Sequence, residues 1–96
     1  MKIVWSKKAQ YNFYSIQNYL ELYWSPLTAK KFINDVLHVN SLLEKNPELG
    51  KYRIDLECRE IVISKHVTLY YHIKENHIRL IALWNNRQQP AEIYNL

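Results

Sequence analysis

The chain is poor in the residues that punctuate irregular structure. It has one glycine, Gly50, and three prolines, Pro26, Pro47 and Pro90, in 96 residues. So few breakers exclude a loop-rich or disordered chain and predict nearly continuous regular structure. Cysteine is equally scarce. Cys58 alone cannot close an intramolecular disulfide, and no histidine or cysteine stands near it at ligand spacing, so a small buried thiol is the plain reading. Neither a metal nor a cofactor is expected. No apolar run approaches the roughly 20 residues of a membrane span, and the opening MKIVWSKKAQ contains no apolar core of a signal peptide. A cytoplasmic protein that does not enter the membrane is the expectation.

What the chain has in quantity is aromatic and basic side chains. Apolar residues make up 48% and aromatics 14%, with three Trp, eight Tyr and two Phe. At this length that suffices for one core and not two, so residues 1–96 are expected to form a single domain. The formal charge of +4 and a pI near 9.2 favour an acidic partner, either nucleic acid or an acidic polypeptide, without choosing between them. A basic surface with no functional meaning is the alternative.

Along the chain, Lys2 to Trp5 is short and β-prone, and Ser6 stands where a helix N-cap belongs. From Lys7 to Trp24 the residues Ala9, Phe13, Ile16, Leu20 and Trp24 recur at helical spacing. Tyr11, Tyr14, Tyr19 and Tyr23 widen that stripe, which implies either a helix covered on more than one side or an exposed aromatic patch. Ser25-Pro26 restarts the chain as a second helix, with serine as cap and proline at the first helical position. Its apolar pattern runs to Lys45, and Asn46-Pro47 ends it. So short a joint makes the two helices an antiparallel hairpin.

After Gly50 the period falls toward two. Tyr52-Arg53-Ile54, Arg59 to Ser64, Val67 to Lys74 and Ile78 to Trp84 read as strands, the last two forming a hairpin across Glu75-Asn76-His77. The whole predicts an α+β fold in which an N-terminal strand and an antiparallel helical hairpin pack on a twisted antiparallel sheet. The last strand stops at Asn85-Asn86-Arg87-Gln88-Gln89-Pro90, which delivers Arg87 at a fixed strand end.

The order strand, helical hairpin, sheet carries a set of short motifs: AKKF at 29–32, LLEKNPELG at 42–50, YYHI at 70–73 and WNNRQQP at 84–90. In that order the chain resembles the RelE/ParE superfamily of bacterial type II toxin–antitoxin toxins, over nearly its whole length. The resemblance implies a small basic toxin, of the plasmid-stabilisation type, that inhibits growth until a cognate antitoxin wraps it, with oligomers forming through the antitoxin complex. An acidic amphipathic segment ordering on the toxin fits the charge and the helix tyrosines, so Tyr11, Tyr14, Tyr19 and Tyr23 are the expected antitoxin surface. Two activities occur in the superfamily: poisoning of DNA gyrase by binding, and cleavage of mRNA on the ribosome.

Cleavage without a metal requires groups that take the 2′-hydroxyl proton, protonate the leaving oxygen and neutralise the phosphate. The resemblance places Arg59, Arg87 and Tyr94 in those roles if the chain is a ribonuclease. Just before Leu69-Tyr70-Tyr71, where such members usually hold an arginine, this chain has Thr68. The long first helix and full hairpin are closer to the ParE-like branch, so a binding inhibitor of gyrase or a similar essential target is the leading expectation. In that case Lys65, Arg79 and Arg87 are the expected target-binding cations. Enzyme activity is expected only on the ribonuclease reading, and a non-toxic relic that keeps only its partner is a third. Bland alternatives stay open for each residue: Arg59, Lys65 and Arg79 as solvated charges on the sheet, and Arg87 as a structural partner of a carboxylate such as Glu60 or of backbone carbonyls. His66, His72 and His77 around the hairpin read as wet edge residues, or as one general base.

Overall fold

The computed structural model describes residues 1–87, 94 and 96. Strand β1 (Lys2–Trp5) leads into helices α1 (Lys7–Tyr23) and α2 (Pro26–Lys45), a 3-10 turn (Pro47–Leu49), and strands β2 (Lys51–Arg53), β3 (Cys58–Ser64), β4 (Val67–Ile73) and β5 (His77–Asn85). The helix boundaries follow from local chemistry. Ser6 Oγ accepts the Ala9 N–H at 3.0 Å, and Ser25 Oγ accepts that of Thr28 at 3.1 Å with Pro26 next in line. Each serine thereby satisfies one of the orphan donors of a first turn. At the far end the Asn46 N–H still donates to Leu42 O, after which Pro47 has no N–H to continue the ladder.

The sheet has the order β1-β5-β4-β3-β2. Strands β2 to β5 pair antiparallel as expected, but β1 lies parallel to β5, so the sheet is mixed. The parallel direction has a physical reason. β1 flanks only the first half of β5, Lys2 facing His77 through Trp5 facing Leu80. The chain then continues in the same direction as α1, whose side chains serve the rest of that edge. The Ser6 N–H donates to Leu80 O, Ser6 Oγ donates to Ile81 O at 2.9 Å, and Asn12 Oδ1 accepts the Leu83 N–H at 3.1 Å. An antiparallel β1 would have sent the chain away from these exposed backbone groups, which need partners when buried.

One hydrophobic cluster lies between the helices and the sheet, with Ala9, Ile16, Phe32, Val36, Val39 and Leu43 meeting Val67, Leu69, Tyr71, Ile78, Leu80 and Leu83. Full burial of side chains such as Leu69, Ile78 and Leu80 is worth about 1.5–3 kcal/mol each. Strict alternation would not turn both Leu80 and Leu83 inward. A register shift where Tyr70 faces Ala82 and Tyr71 faces Leu80 adds one residue to β5 and resets the faces. Phe13 stacks on Phe32 with centroids 5.5 Å apart and fixes α1 against α2. No helix among the described residues is long and apolar enough to cross a membrane.

Candidate partner-binding site

The two ends of the sheet differ in how their arginines are held. At one end, Gly50 follows the 3-10 turn and lies against Tyr71. A Cβ there would come within 2.6 Å of Tyr71 Oη and 2.8 Å of Glu60 O, so the backbone approaches too closely for any side chain. Tyr71 Oη donates to Pro47 O at 2.7 Å and accepts the Gly50 N–H at 2.9 Å. Burial pushes this hydroxyl's pKa up. Arg59, directly opposite Tyr71, donates through Nη1 to Gly50 O at 2.7 Å and to Glu48 O at 3.3 Å, with its guanidinium over the Tyr52 ring. Arg59 therefore closes the turn.

Behind this corner, on the sheet face away from the helices, Arg53 bridges Glu60 at 3.0 Å and Asp55 at 2.8 Å. Arg53 draws the Asp55 carboxyl below its usual range. Burial, reinforced by the Glu60 carboxylate opposite it, pushes the Tyr70 hydroxyl up to about 12. Cys58 is buried on the same face, and burial raises its thiol pKa. Tyr94 Oη donates to Asp55 Oδ2 at 3.3 Å.

At the other end, α1 and α2 part from the sheet and leave a cavity of about 240 Å³. Ile16, Leu20, Phe32 and Val67 give it apolar walls, while Tyr19, Lys31, Asp35, Ser64, His66, Asn85 and Arg87 supply its polar ones. Lys31 and Asp35 neutralise each other at 2.9 Å. Arg87 is exposed; its guanidinium lies 5.5 Å from the centroid of Trp24, and Nη1 donates to Tyr19 Oη at 3.2 Å. Its backbone is fixed too, since the Arg87 N–H donates to Asn85 Oδ1 at 3.0 Å and the Asn86 N–H to His66 O. A guanidinium held over an aromatic ring with one donor engaged keeps its other donors available to an anion beside an apolar pocket.

The structure distributes the sequence-predicted residues as follows. Arg59 faces Tyr71, which faces Leu80, whereas Asn85 faces Val67; Arg59 and Arg87 thus belong to opposite ends of the sheet. Tyr94 meets the β2–β3 connection, away from Arg87. Glu60 pairs with Arg53, so the carboxylate considered as a partner for Arg87 is engaged elsewhere. Lys65 is exposed in the β3–β4 turn at the Arg87 end, and Arg79 is exposed on β5 opposite His72. Of the four tyrosines, Tyr19 lines the cavity and Tyr23 packs on it with centroids 5.1 Å apart. Tyr11 and Tyr14 are exposed on α1 but do not line the cavity. Thr68 is buried and donates to Asn86 Oδ1 at 3.3 Å. His72 Nε2 donates to Glu57 O at 3.1 Å and His77 Nδ1 donates to Asn76 Oδ1 at 2.8 Å, while His66 joins the cavity wall. Gln88, Gln89 and Pro90 of the predicted strand exit lie outside the described residues.

Three residues of this end were not singled out for function in the sequence. Trp24 reads there as the last step of a buried stripe, yet it is 58% exposed and carries Arg87. Its place next to the Ser25-Pro26 restart was the available signal, because a residue beyond the last helical turn is not held to the buried face. Lys31 and Asp35, an i,i+4 pair, gave none beyond ordinary helix charge.

Comparison with known proteins agrees with this architecture. The family model described as the ParE toxin of type II toxin–antitoxin system, parDE, matches residues 3–90. No curated protein matches the sequence. Among solved structures, the chromosomal ParDE toxin–antitoxin system from P. aeruginosa superposes with a TM-score of 0.75 at 17% identity, covering 88% of this chain and 95% of that one. The YoeB/ParE toxin from Agrobacterium tumefaciens gives 0.62 at 11% identity, covering 88% and 98%. The YoeB dimer from Staphylococcus aureus gives 0.61 at 19% identity, covering 88% and 94%. At such identities these likenesses speak for the fold, and the match over residues 3–90 speaks for the family: the chain belongs to the ParE toxins of type II toxin–antitoxin systems.

Proposed function

We propose that this chain inhibits growth by binding an essential target such as DNA gyrase, and that a cognate antitoxin neutralises it by covering the Arg87 end of the sheet. The observation that carries the reading is the Arg87 guanidinium: exposed, stacked on Trp24, and without a carboxylate partner among the described residues. Rigid presentation of a cation beside exposed aromatics suits recognition of an acidic surface. Arg59, by contrast, commits its Nη1 to two backbone carbonyls, and Tyr94 gives its hydroxyl proton to Asp55. Groups that must act together on one phosphate need to converge on it, and Arg59 and Arg87 stand at opposite strand ends. This separation favours binding over ribonuclease chemistry.

The test is expression of the toxin without its partner, followed by two assays on the same cells. The expected result is growth arrest with messages intact and cleaved DNA trapped on gyrase. Messages cut at ribosomal A-sites would replace this reading with the ribonuclease, and unimpaired growth would replace it with a non-toxic partner-binding protein.

A further inference from the structure

We infer that the cavity at the Arg87 end is a two-part anchor for the antitoxin, taking one bulky apolar side chain inside and one carboxylate of the same segment on Arg87. This rests on the antitoxin reading given above. The size of the cavity comes first. About 240 Å³ falls below the roughly 300–1,000 Å³ of small-molecule sites, and Ile16, Leu20, Phe32 and Val67 give it apolar walls. It matches the insertion of a single large side chain, the usual form of an interface hot spot.

Charge complementarity then identifies the segment. Lys31 at the rim is already paired with Asp35, so the rim cation free of a carboxylate among the described residues is Arg87. Its guanidinium has five N–H donors, of which one is given to Tyr19. The guanidinium is held over Trp24, so the remaining donors can meet a carboxylate at little cost in side-chain entropy. An acidic segment with an apolar anchor fits both parts, whereas a nucleic acid would leave the cavity empty and a basic or neutral segment would leave the guanidinium unmatched. One regulatory consequence follows. The guanidinium assigned to the target is the one the antitoxin takes, so toxin and antitoxin states exclude each other at a single side chain.

The test uses the purified toxin and the antitoxin with which it co-purifies, titrated by calorimetry. Arg87→Gln is expected to weaken binding about 30-fold, and Arg87→Lys to recover only part of this because an ammonium cannot stack or bind in bidentate fashion. Ser64→Phe, which fills the cavity from its wall, is expected to weaken binding by a similar factor with Arg87 intact. Thermal melts of the free variants establish that each is folded; should Ser64→Phe fail to fold, Trp24→Ala, which removes the platform under Arg87, takes its place. Affinities within twofold of wild type for both halves of the site would overturn the inference while leaving antitoxin binding intact. Absence of any antitoxin binding by the wild type would instead overturn the underlying reading. Self-association of the free toxin that Ser64→Phe abolishes would make the occupant a second copy, and would also overturn the inference.

Discussion

Arg59 and Arg87 are the same side chain in two opposite situations. Arg59 sits at a closed corner, where hydrogen bonds tie Tyr71 to Gly50 and the 3-10 turn and where its Nη1 is committed to two backbone carbonyls. Arg87 sits at an open one, where the helices part from the sheet and the guanidinium leans on exposed aromatics. Under the proposed function the closed end serves stability and the open end recognition. Residue type and motif position alone could not tell the two arginines apart; the partners of each guanidinium do.

The closed end should be the easier to break. The largest effect is expected from Gly50→Ala, whose new methyl would collide with Tyr71 Oη and Glu60 O. Overpacking of this kind costs about 3 kcal/mol, read as a lowered denaturant midpoint. A neutral result would mean that the corner relaxes freely and that the contrast between the two ends is overstated.

Next in size is Arg59→Met, which keeps much of the stem but leaves Gly50 O and Glu48 O without their donor. A loss of about 1–3 kcal/mol is expected, with antitoxin affinity unchanged. If stability held while toxicity vanished, Arg59 would move to the functional side of the comparison.

The smallest effect concerns pH. His72, at the closed end, has its pKa lowered below 6.5, first by burial and then by the neighbouring Lys74 and Arg79. The folded state therefore takes up this proton less readily than the unfolded chain. The stability it contributes is present above pH 6.5 and is lost as pH falls through the lower folded value. Melting temperature should accordingly fall on acidification below 6.5, and His72→Gln should flatten that part of the profile. An unchanged slope in the variant would assign the pH dependence to other groups.

The closed end and the helices were more legible in the sequence than the open end, for a physical reason. Ser6, Ser25-Pro26 and Asn46-Pro47 act on backbone within one turn of themselves, so the bounds of α2 could be read directly. The β4–β5 hairpin was equally local. The parallel seat of β1 and the capping of Leu83 by Asn12 depend on partners more than 70 residues apart, and the extra residue in β5 on its register with β4, none of which periodicity records. The site divided the same way. Arg87 was visible as a cation at a strand end, and Tyr19 and Tyr23 as surplus aromatics on a helix. Their meeting at Trp24 was not visible, because it depends on where α1 lies across the sheet, nor was the engagement of Arg59 by the turn, because that depends on where the chain after α2 meets β3. Gly50 was legible as a turn residue, but the approach of Tyr71 that forbids a side chain was not.

The most direct test is Arg87→Ala, assayed for growth inhibition without the antitoxin and for thermal stability in the same preparation. The account predicts that toxicity is abolished while stability stays within about 0.5 kcal/mol of wild type, as for an exposed side chain. Persistent growth arrest, or a loss of about 1–3 kcal/mol from a broken structural hydrogen bond, would contradict it.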